Sequence, residues 1–311
     1  MAAVIKTVNL TKRYGTLVAL SNLNLEINEG DCFGFIGPNG AGKTTTIKIL
    51  ATLLQPTWGE ARICDLVVGY QSRQIRPLIG YVPDYFGAYE DMVVQEYLEF
   101  FAAAYNINGA KRTQIVNDVL ELTDLGYKKD AAVDGLSRGM KQRLSIARVL
   151  VHDPKVLLLD EPAGNLDPRA RIEMRELLKE LRRMGKTILI SSHILPELAD
   201  LCNTVGIIER GELIYSGPVA DIVKRARAGT VLHVGVSHNQ QLAAALLSQD
   251  PNVENVAANN GFLEVSLKDG VDDYTFVPQQ LINAGFKLTM LREEEVNLET
   301  AFMRLTKGVV Q

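Results

Sequence analysis

The stretch GPNGAGKTT, residues 37–45, limits the folds open to this chain more than any other. It satisfies the pattern G-x-x-x-x-G-K-[ST]. Before it, CFGFIG is a compact apolar run ending on Gly37. After it, from Gly42 to Leu54, Ile47, Leu50 and Leu54 recur at helical spacing. The chain must therefore pass from a buried strand, through a glycine-rich loop, into a helix. Gly37, Gly40 and Gly42 let the backbone close round phosphate oxygens with its N–H groups pointing inward, and Pro38, Asn39 and Ala41 complete the loop. Lys43 is placed to neutralise β- and γ-phosphates, and Thr44, with Thr45 beside it, to offer a hydroxyl to Mg²⁺. The motif predicts a nucleotide site.

A second stretch supplies the acids that such a site needs. KVLLLDEP is a continuous apolar run, the pattern of a buried parallel strand. Asp160 at its end is placed to hold Mg²⁺, directly or through water, and Glu161 to polarise an attacking water. TILISSH reads as another buried strand, closed by His193. That histidine suits γ-phosphate charge and the attacking water, and equally an ordinary structural place. GLSRGMKQR at 135–143 is a Ser/Gly turn running into a basic helix, the layout of a further phosphate-binding helix N-terminus. One nucleotide site with two cradles needs an explanation.

The remaining pattern is α/β. Residues 1–30 read as short strands, with VALSNLNLEINEG alternating before Gly30. Residues 90–105 and 111–125 read as amphipathic helices. A helix is expected from Pro168, with Met174, Leu177, Leu178 and Leu181 on one stripe and Gly185 as its stop. VGIIERGELIYSG predicts a hairpin turning at Arg210-Gly211. From about residue 229 the order changes to strand, helix, two strands, helix, strand, which fits a small ferredoxin-like α+β domain. A last helix, NLETAFMRLT, has a candidate N-cap in Asn297.

At 311 residues the chain has room for two domains of ~100–200 residues each. Its net charge of -4 provides no long-range pull toward nucleic acid or acidic lipid. Cys32, Cys64 and Cys202 lie far apart without metal-ligand spacing, which suggests a reduced, cytosolic setting. The N-terminus lacks the apolar core of a signal peptide, and no apolar run approaches the ~18–20 residues that cross a bilayer. The expectation is a soluble intracellular protein that reaches a membrane only through a partner.

The ordered motifs GPNGAGKT, LSRGM-KQR, LLLDEP, NLD and SSH, within residues 4–220, resemble the ATPase subunits of ATP-binding-cassette (ABC) transporters. The resemblance implies a RecA-like parallel core with an antiparallel β subdomain and a helical subdomain at about 85–150. Together these make an ATP-binding domain over 1–228, followed by the α+β domain over 229–311. It implies ATP and Mg²⁺ as cofactors, a second ATPase subunit as partner, and a separate transmembrane permease, with the chain peripheral on the cytoplasmic face. It also answers the question of two cradles. In that family Ser137 and Gly139 would touch the nucleotide held by the other subunit of a head-to-tail dimer, and Asp167 would link the two sites. Glu161 matches the catalytic base, His193 the switch histidine, and Tyr14 in KRYG the aromatic stacked on adenine; from the residues alone Tyr14 reads equally as a core aromatic.

Two motifs depart from the family pattern. Arg138 and Met140 replace the middle and last residues of LSGGQ, and Asp84 in IGYVPDYFG stands where the family has a Gln reaching Mg²⁺. Asp84 reads as a shorter metal ligand or as a turn residue. Tyr85, Phe86 and Tyr89 fit either packing or an apolar face toward membrane subunits. The ending VNLETAFMRLT is similar to the tails of lipid-, drug- and polysaccharide-exporter ATPases, so an exporter is expected. Rival readings are a soluble ABC ATPase remodelling a cytosolic complex and a nearly inactive nucleotide-gated module.

Overall fold

A computed structural model describes residues 3–85, 87, 92–192, 194–226, 230–259, 261–268, 270–271 and 273–294. Contacts divide them into two units, one up to Val219 and one from Ala220 onward.

The first unit is built on a six-stranded sheet in the order β10-β9-β3-β8-β7-β6. Its strands are β3 (Cys32–Ile36), β6 (Ile79–Val82), β7 (Val156–Asp160), β8 (Thr187–Ser192), β9 (Thr204–Glu209) and β10 (Glu212–Pro218). All neighbours are parallel except β9 and β10, which form the expected hairpin. Arg210 at φ 51 and Gly211 at φ 80 make its turn, the left-handed pair that matches strand twist. β3, β7 and β8 are buried at every residue, because helices cover a parallel sheet on both faces. These helices include α1 (Lys43–Leu50), α6 (Pro168–Arg183) and α7 (Leu195–Leu201). In α6, Met174, Leu177, Leu178 and Leu181 form the buried stripe. α1 is shorter than the 42–54 periodicity suggests: Thr52 takes a left-handed φ of 61, which ends the helix before Leu54.

A second, antiparallel sheet has the order β2-β1-β4-β5. It comprises β1 (Ala3–Tyr14), β2 (Leu17–Asn28), β4 (Trp58–Ile63) and β5 (Leu66–Val67). The N-terminal strands are not short; each of the first two spans 12 residues. Asn9 and Asn22, both at φ 49, sit at register shifts that bend the pair without ending it, and the same polar residues suggest breaks to a reader of the sequence. Ile5, Leu20, Leu23 and Ile27 share one core with Phe33, Ile47 and Leu158, so this sheet closes over α1 and the start of the central sheet.

Between β6 and β7 the chain is helical. After β5 come the short α2 (Ser72–Ile75), then α3 (Val94–Ala104), α4 (Gly109–Leu122) and α5 (Arg138–Leu150). Val94, Tyr97 and Leu98 of α3 are fully buried. α8 (Val219–Ala226) follows β10.

The second unit runs β11 (Val231–Val236), α9 (Gln240–Leu247), β12 (Val253–Asn259), β13 (Phe262–Leu267), α10 (Phe276–Asn283) and β14 (Leu288–Glu293). The antiparallel order β12-β13-β11-β14 is the ferredoxin-like arrangement. Its core is made by Leu232, Val234, Leu263 and Val265 of the sheet against Ala243, Leu247, Val277 and Leu281 of the two helices. The final helix expected from Asn297 lies outside the described residues.

Candidate functional site

The glycine-rich loop, Asp160, Glu161 and Ser191 come together because β3, β7 and β8 are neighbours and end at the same edge of the sheet. Such an edge, outside the carboxyl ends of parallel strands, is where open α/β sheets bind ligands. Gly37 leaves the loop no alternative residue: a Cβ there would lie 2.3 Å from the Ile208 carbonyl oxygen. Gly42, at φ 109, caps α1 in a conformation that residues with a Cβ avoid.

Lys43 is buried, and its ammonium donates to the carbonyls of Gly37 at 2.7 Å and Pro38 at 3.1 Å. It stands 4.0 Å from Glu161 Oε1. Burial pushes the Lys43 pKa down, against the opposing pull of Glu161 and Asp160. Thr44 Oγ1 donates to Asp160 Oδ1 at 3.1 Å, and Ser191 Oγ donates to the same oxygen at 2.7 Å. Asp160 is 2% exposed. Burial raises its pKa, the bonds from Ser191 and Thr44 lower it, and the charges of Asp84 and Glu161 raise it again. Those two hydroxyl donors are what allow a carboxylate to sit this deep. Tyr81, half-buried beside the same acids, has its phenol pushed up to about 12.

Glu161 has an unusual backbone. Its φ is 50, left-handed for a residue with a Cβ. The strain is held by its N–H, which bonds Ser191 Oγ at 3.0 Å and the Ser191 carbonyl at 3.2 Å, and by its carbonyl, which accepts from Gly164 N at 2.9 Å. The turn points the carboxylate across the loop toward Lys43.

Of these groups Lys43, Thr44 and Glu161 border a cleft of about 620 Å³, and Asp160 lies behind Thr44, bonded to its hydroxyl. Its lining is Tyr14, Leu17, Ala19, residues 39–45, Asp84, Tyr85, Arg138, Glu161, Gly164 and Asn165. Tyr14 is 47% exposed rather than a core aromatic. Ser137, Gly139 and Asp167 do not line this cleft. Ser137 Oγ accepts from Met140 N at 3.3 Å as the N-cap of α5, and Asp167 Oδ1 accepts from Ala170 N at 3.0 Å as the N-cap of α6. Gly139 packs so closely that an added Cβ would lie 2.7 Å from Ala170 Cβ. His193, Phe86 and Tyr89 lie outside the described residues. Sequence reasoning missed Ser191, whose only signal was its place two residues before the end of TILISSH, and missed that Arg138 faces the cleft.

The donor set suits a hard cation shared with phosphates. Thr44 and Asp160 present a hydroxyl and a carboxylate oxygen side by side, and Asp84 borders the same cleft. Among the described residues no group of three or more His, Cys, Asp or Glu side chains is arranged to hold a metal alone. Mg²⁺ uses few protein ligands and takes the rest from phosphate and water.

Comparison with known proteins points the same way. A family model described as ABC transporter matches residues 20–164. The Nod factor export ATP-binding protein I of Cupriavidus metallidurans is 39% identical over 223 residues, 72% of this chain and 74% of that one. The bacitracin transport ATP-binding protein of Bacillus licheniformis is 34% identical over 316 aligned residues, 99% of both chains. Among solved structures, an ATP-binding cassette captured as a dimer in a post-hydrolysis state with ADP and Pi superposes with a TM-score of 0.62. It is 28% identical, over 69% of this chain and 98% of that one.

Proposed function

The chain belongs to the ATP-binding proteins of ABC transporters and is an ATPase; from that premise we propose that it pairs head-to-tail with a second ATPase subunit and drives a separate membrane permease in export. The observation that carries the reading is the convergence of Lys43, the Thr44–Asp160 pair and Glu161 on one cleft. Support for export comes from relatives named for bacitracin transport and Nod factor export, the first aligned over nearly the whole chain. A lipid, drug or polysaccharide is the substrate class we favour. Among the described residues no helix is long and apolar enough to cross a membrane, so attachment runs through the permease on its cytoplasmic face.

In this reading the adenine lies against Tyr14, and the triphosphate runs over Gly37, Pro38, Asn39, Gly40, Ala41 and Gly42 to Thr45. Lys43 exchanges its two loop carbonyls for β- and γ-phosphate oxygens. Thr44, Asp160 and Asp84 would hold Mg²⁺, which would neutralise charge developing on the phosphates. Glu161 orients and polarises the attacking water, with His193 steadying the γ-phosphate. Ser137 and Gly139 reach the nucleotide of the other subunit, and Asp167 couples the two sites. Positioning and charge stabilisation supply most of the rate, as is general for phosphoryl transfer.

Two experiments test this. Glu161→Gln should bind ATP and dimerise yet release phosphate very slowly; a variant that stays monomeric in saturating ATP would refute the dimer. Affinity purification of the tagged chain from gently solubilised native membranes should recover a multi-spanning protein in near-equal amount. Recovery of soluble companions alone would sink the transporter reading in favour of a cytosolic machine.

A further inference from the structure

We propose that Ser191 is a positioning residue for hydrolysis, its one hydroxyl holding the carboxylate of Asp160 and the backbone of Glu161 in a fixed relation. The proposal rests on the roles read above for those two acids. Ser191 lies near the end of β8, 0% exposed, in register with Asp160 on β7 and with Phe35 on β3. Phe35 has no polar side-chain atom to offer, so the hydroxyl turns to β7. It gives its proton to Asp160 Oδ1 at 2.7 Å and accepts the Glu161 N–H at 3.0 Å. A serine hydroxyl has a single proton, and these two bonds fix where it points.

The two bonds have separate consequences. The Glu161 N–H also reaches the Ser191 carbonyl at 3.2 Å, so loss of the hydroxyl leaves the left-handed turn at φ 50 closed but held by one bond fewer. A carboxylate aimed from a loosened turn no longer meets the attacking water squarely. An error of about 1 Å in a reacting geometry can cost about a hundredfold in rate.

At Asp160, Oδ1 accepts from both Ser191 and, at 3.1 Å, Thr44. Thr44 is the residue whose hydroxyl oxygen would turn to Mg²⁺. The Ser191 bond is the shorter of the two and comes from a neighbouring strand, so it keeps the carboxylate oriented when Thr44 is engaged elsewhere. Groups that orient a metal-holding side chain in this way are worth about 10–100-fold in metal affinity or activity. Alanine is smaller than serine, so Ser191→Ala removes both bonds without crowding β8.

The test compares Ser191→Ala with Thr187→Val in the full chain. Thr187 begins the same strand, is 1% exposed, and its Oγ1 accepts from Gly30 N at 2.9 Å, so it too loses a buried hydroxyl bond. Ser191→Ala should lower kcat for phosphate release about ten- to hundredfold with KM for ATP within about twofold, whereas Thr187→Val should keep both within about twofold. A second readout needs no turnover. In the Glu161→Gln background, the Mg²⁺ concentration that half-restores ATP binding should rise about tenfold on adding Ser191→Ala and stay in place on adding Thr187→Val. If Glu161→Gln is slow while Ser191→Ala keeps kcat within about twofold and leaves the Mg²⁺ midpoint in place, the hydroxyl is structural only and the proposal is overturned. It is overturned equally if Thr187→Val slows turnover as much as Ser191→Ala does. If Glu161→Gln hydrolyses ATP at the full rate, the reading of Glu161 itself fails and takes this inference with it.

Discussion

Replacing Glu161 by glycine should leave the first unit more stable than replacing it by glutamine. Both variants remove the carboxylate, and with it the 4.0 Å pairing to Lys43 and the repulsion felt by Asp160. They differ at the backbone, where φ is 50. Holding a residue with a Cβ in the left-handed region costs about 1–2 kcal/mol, which glycine avoids. Glycine's extra freedom in the unfolded chain returns about 0.5–1 kcal/mol of that. The net expectation is that Glu161→Gly exceeds Glu161→Gln by about 0.5–1 kcal/mol. At about 2–4 °C per kcal/mol for a domain near 200 residues, that is a Tm difference of about 1–4 °C. Urea unfolding followed by fluorescence of Trp58, the one tryptophan of the chain and a residue of β4, reads this unit alone. Both variants should be inactive in phosphate release, so stability and turnover would part company at one position. If Glu161→Gly unfolds at the same or lower urea concentration than Glu161→Gln, the turn is not strained and the argument is wrong.

Three further outcomes are expected. Ser191→Ala removes the 2.7 Å donor to Asp160 and one of the two acceptors for the Glu161 N–H, and should lower unfolding stability by about 1.5–3 kcal/mol in the same Trp58 assay. A change under about 0.5 kcal/mol would mean that water replaces the hydroxyl without loss. Arg143→Ala leaves the carbonyls of Thr123 and Asp124 without this donor and removes one of the two arginines paired with Glu173, which keeps Arg169. Because Asp124 is largely exposed, the loss should be about 2 kcal/mol rather than the ~3–5 kcal/mol of a fully buried pair, measurable as a shifted urea midpoint. His152, stacked 3.9 Å from Tyr105 with Nε2 2.9 Å from the Ile79 carbonyl, has its pKa pushed below 6.5 chiefly by burial. The unfolded chain therefore takes up this proton first, so stability is intact above pH 6.5 and falls as the pH drops below it. His152→Gln should flatten the urea midpoint between about pH 7 and pH 5; an unchanged slope would assign the acid sensitivity elsewhere.

What the sequence disclosed followed from local rules strong enough to survive packing. The loop at 37–45 has so few conformations open to it that strand, loop and helix could be placed from composition alone. The α6 stripe and the Arg210-Gly211 turn were readable for the same reason, and the strand–helix order after residue 229 admitted few arrangements. Other features depended on partners distant in the chain. Ser191 looks like any serine near a strand end until β7 lies beside β8 and brings Asp160 within reach. Arg138 reads as a defect in a glycine motif, and nothing in the sequence shows that it lines the cleft or that Gly139 beside it meets Ala170, 31 positions later. The length of β1 and β2 was hidden because Asn9 and Asn22 break the alternation without breaking the ladder. Helix ends were placed too generously, since periodicity continues past Leu50 while a left-handed Thr52 does not.

The central position of β3 has a consequence for how the chain is made. β3 pairs only with β8 and β9, and β8 does not begin until Thr187, about 150 residues after β3 ends. During synthesis at about 5–20 residues per second, the segment Cys32–Ile36 waits about 8–30 s for its first sheet neighbour. For that interval the ribosome holds an apolar strand with both edges open, directly ahead of the loop on which the site depends. Nascent chains halted before residue 187 should therefore be the species most in need of a holding chaperone, and those extended past residue 209 the first to be released from it.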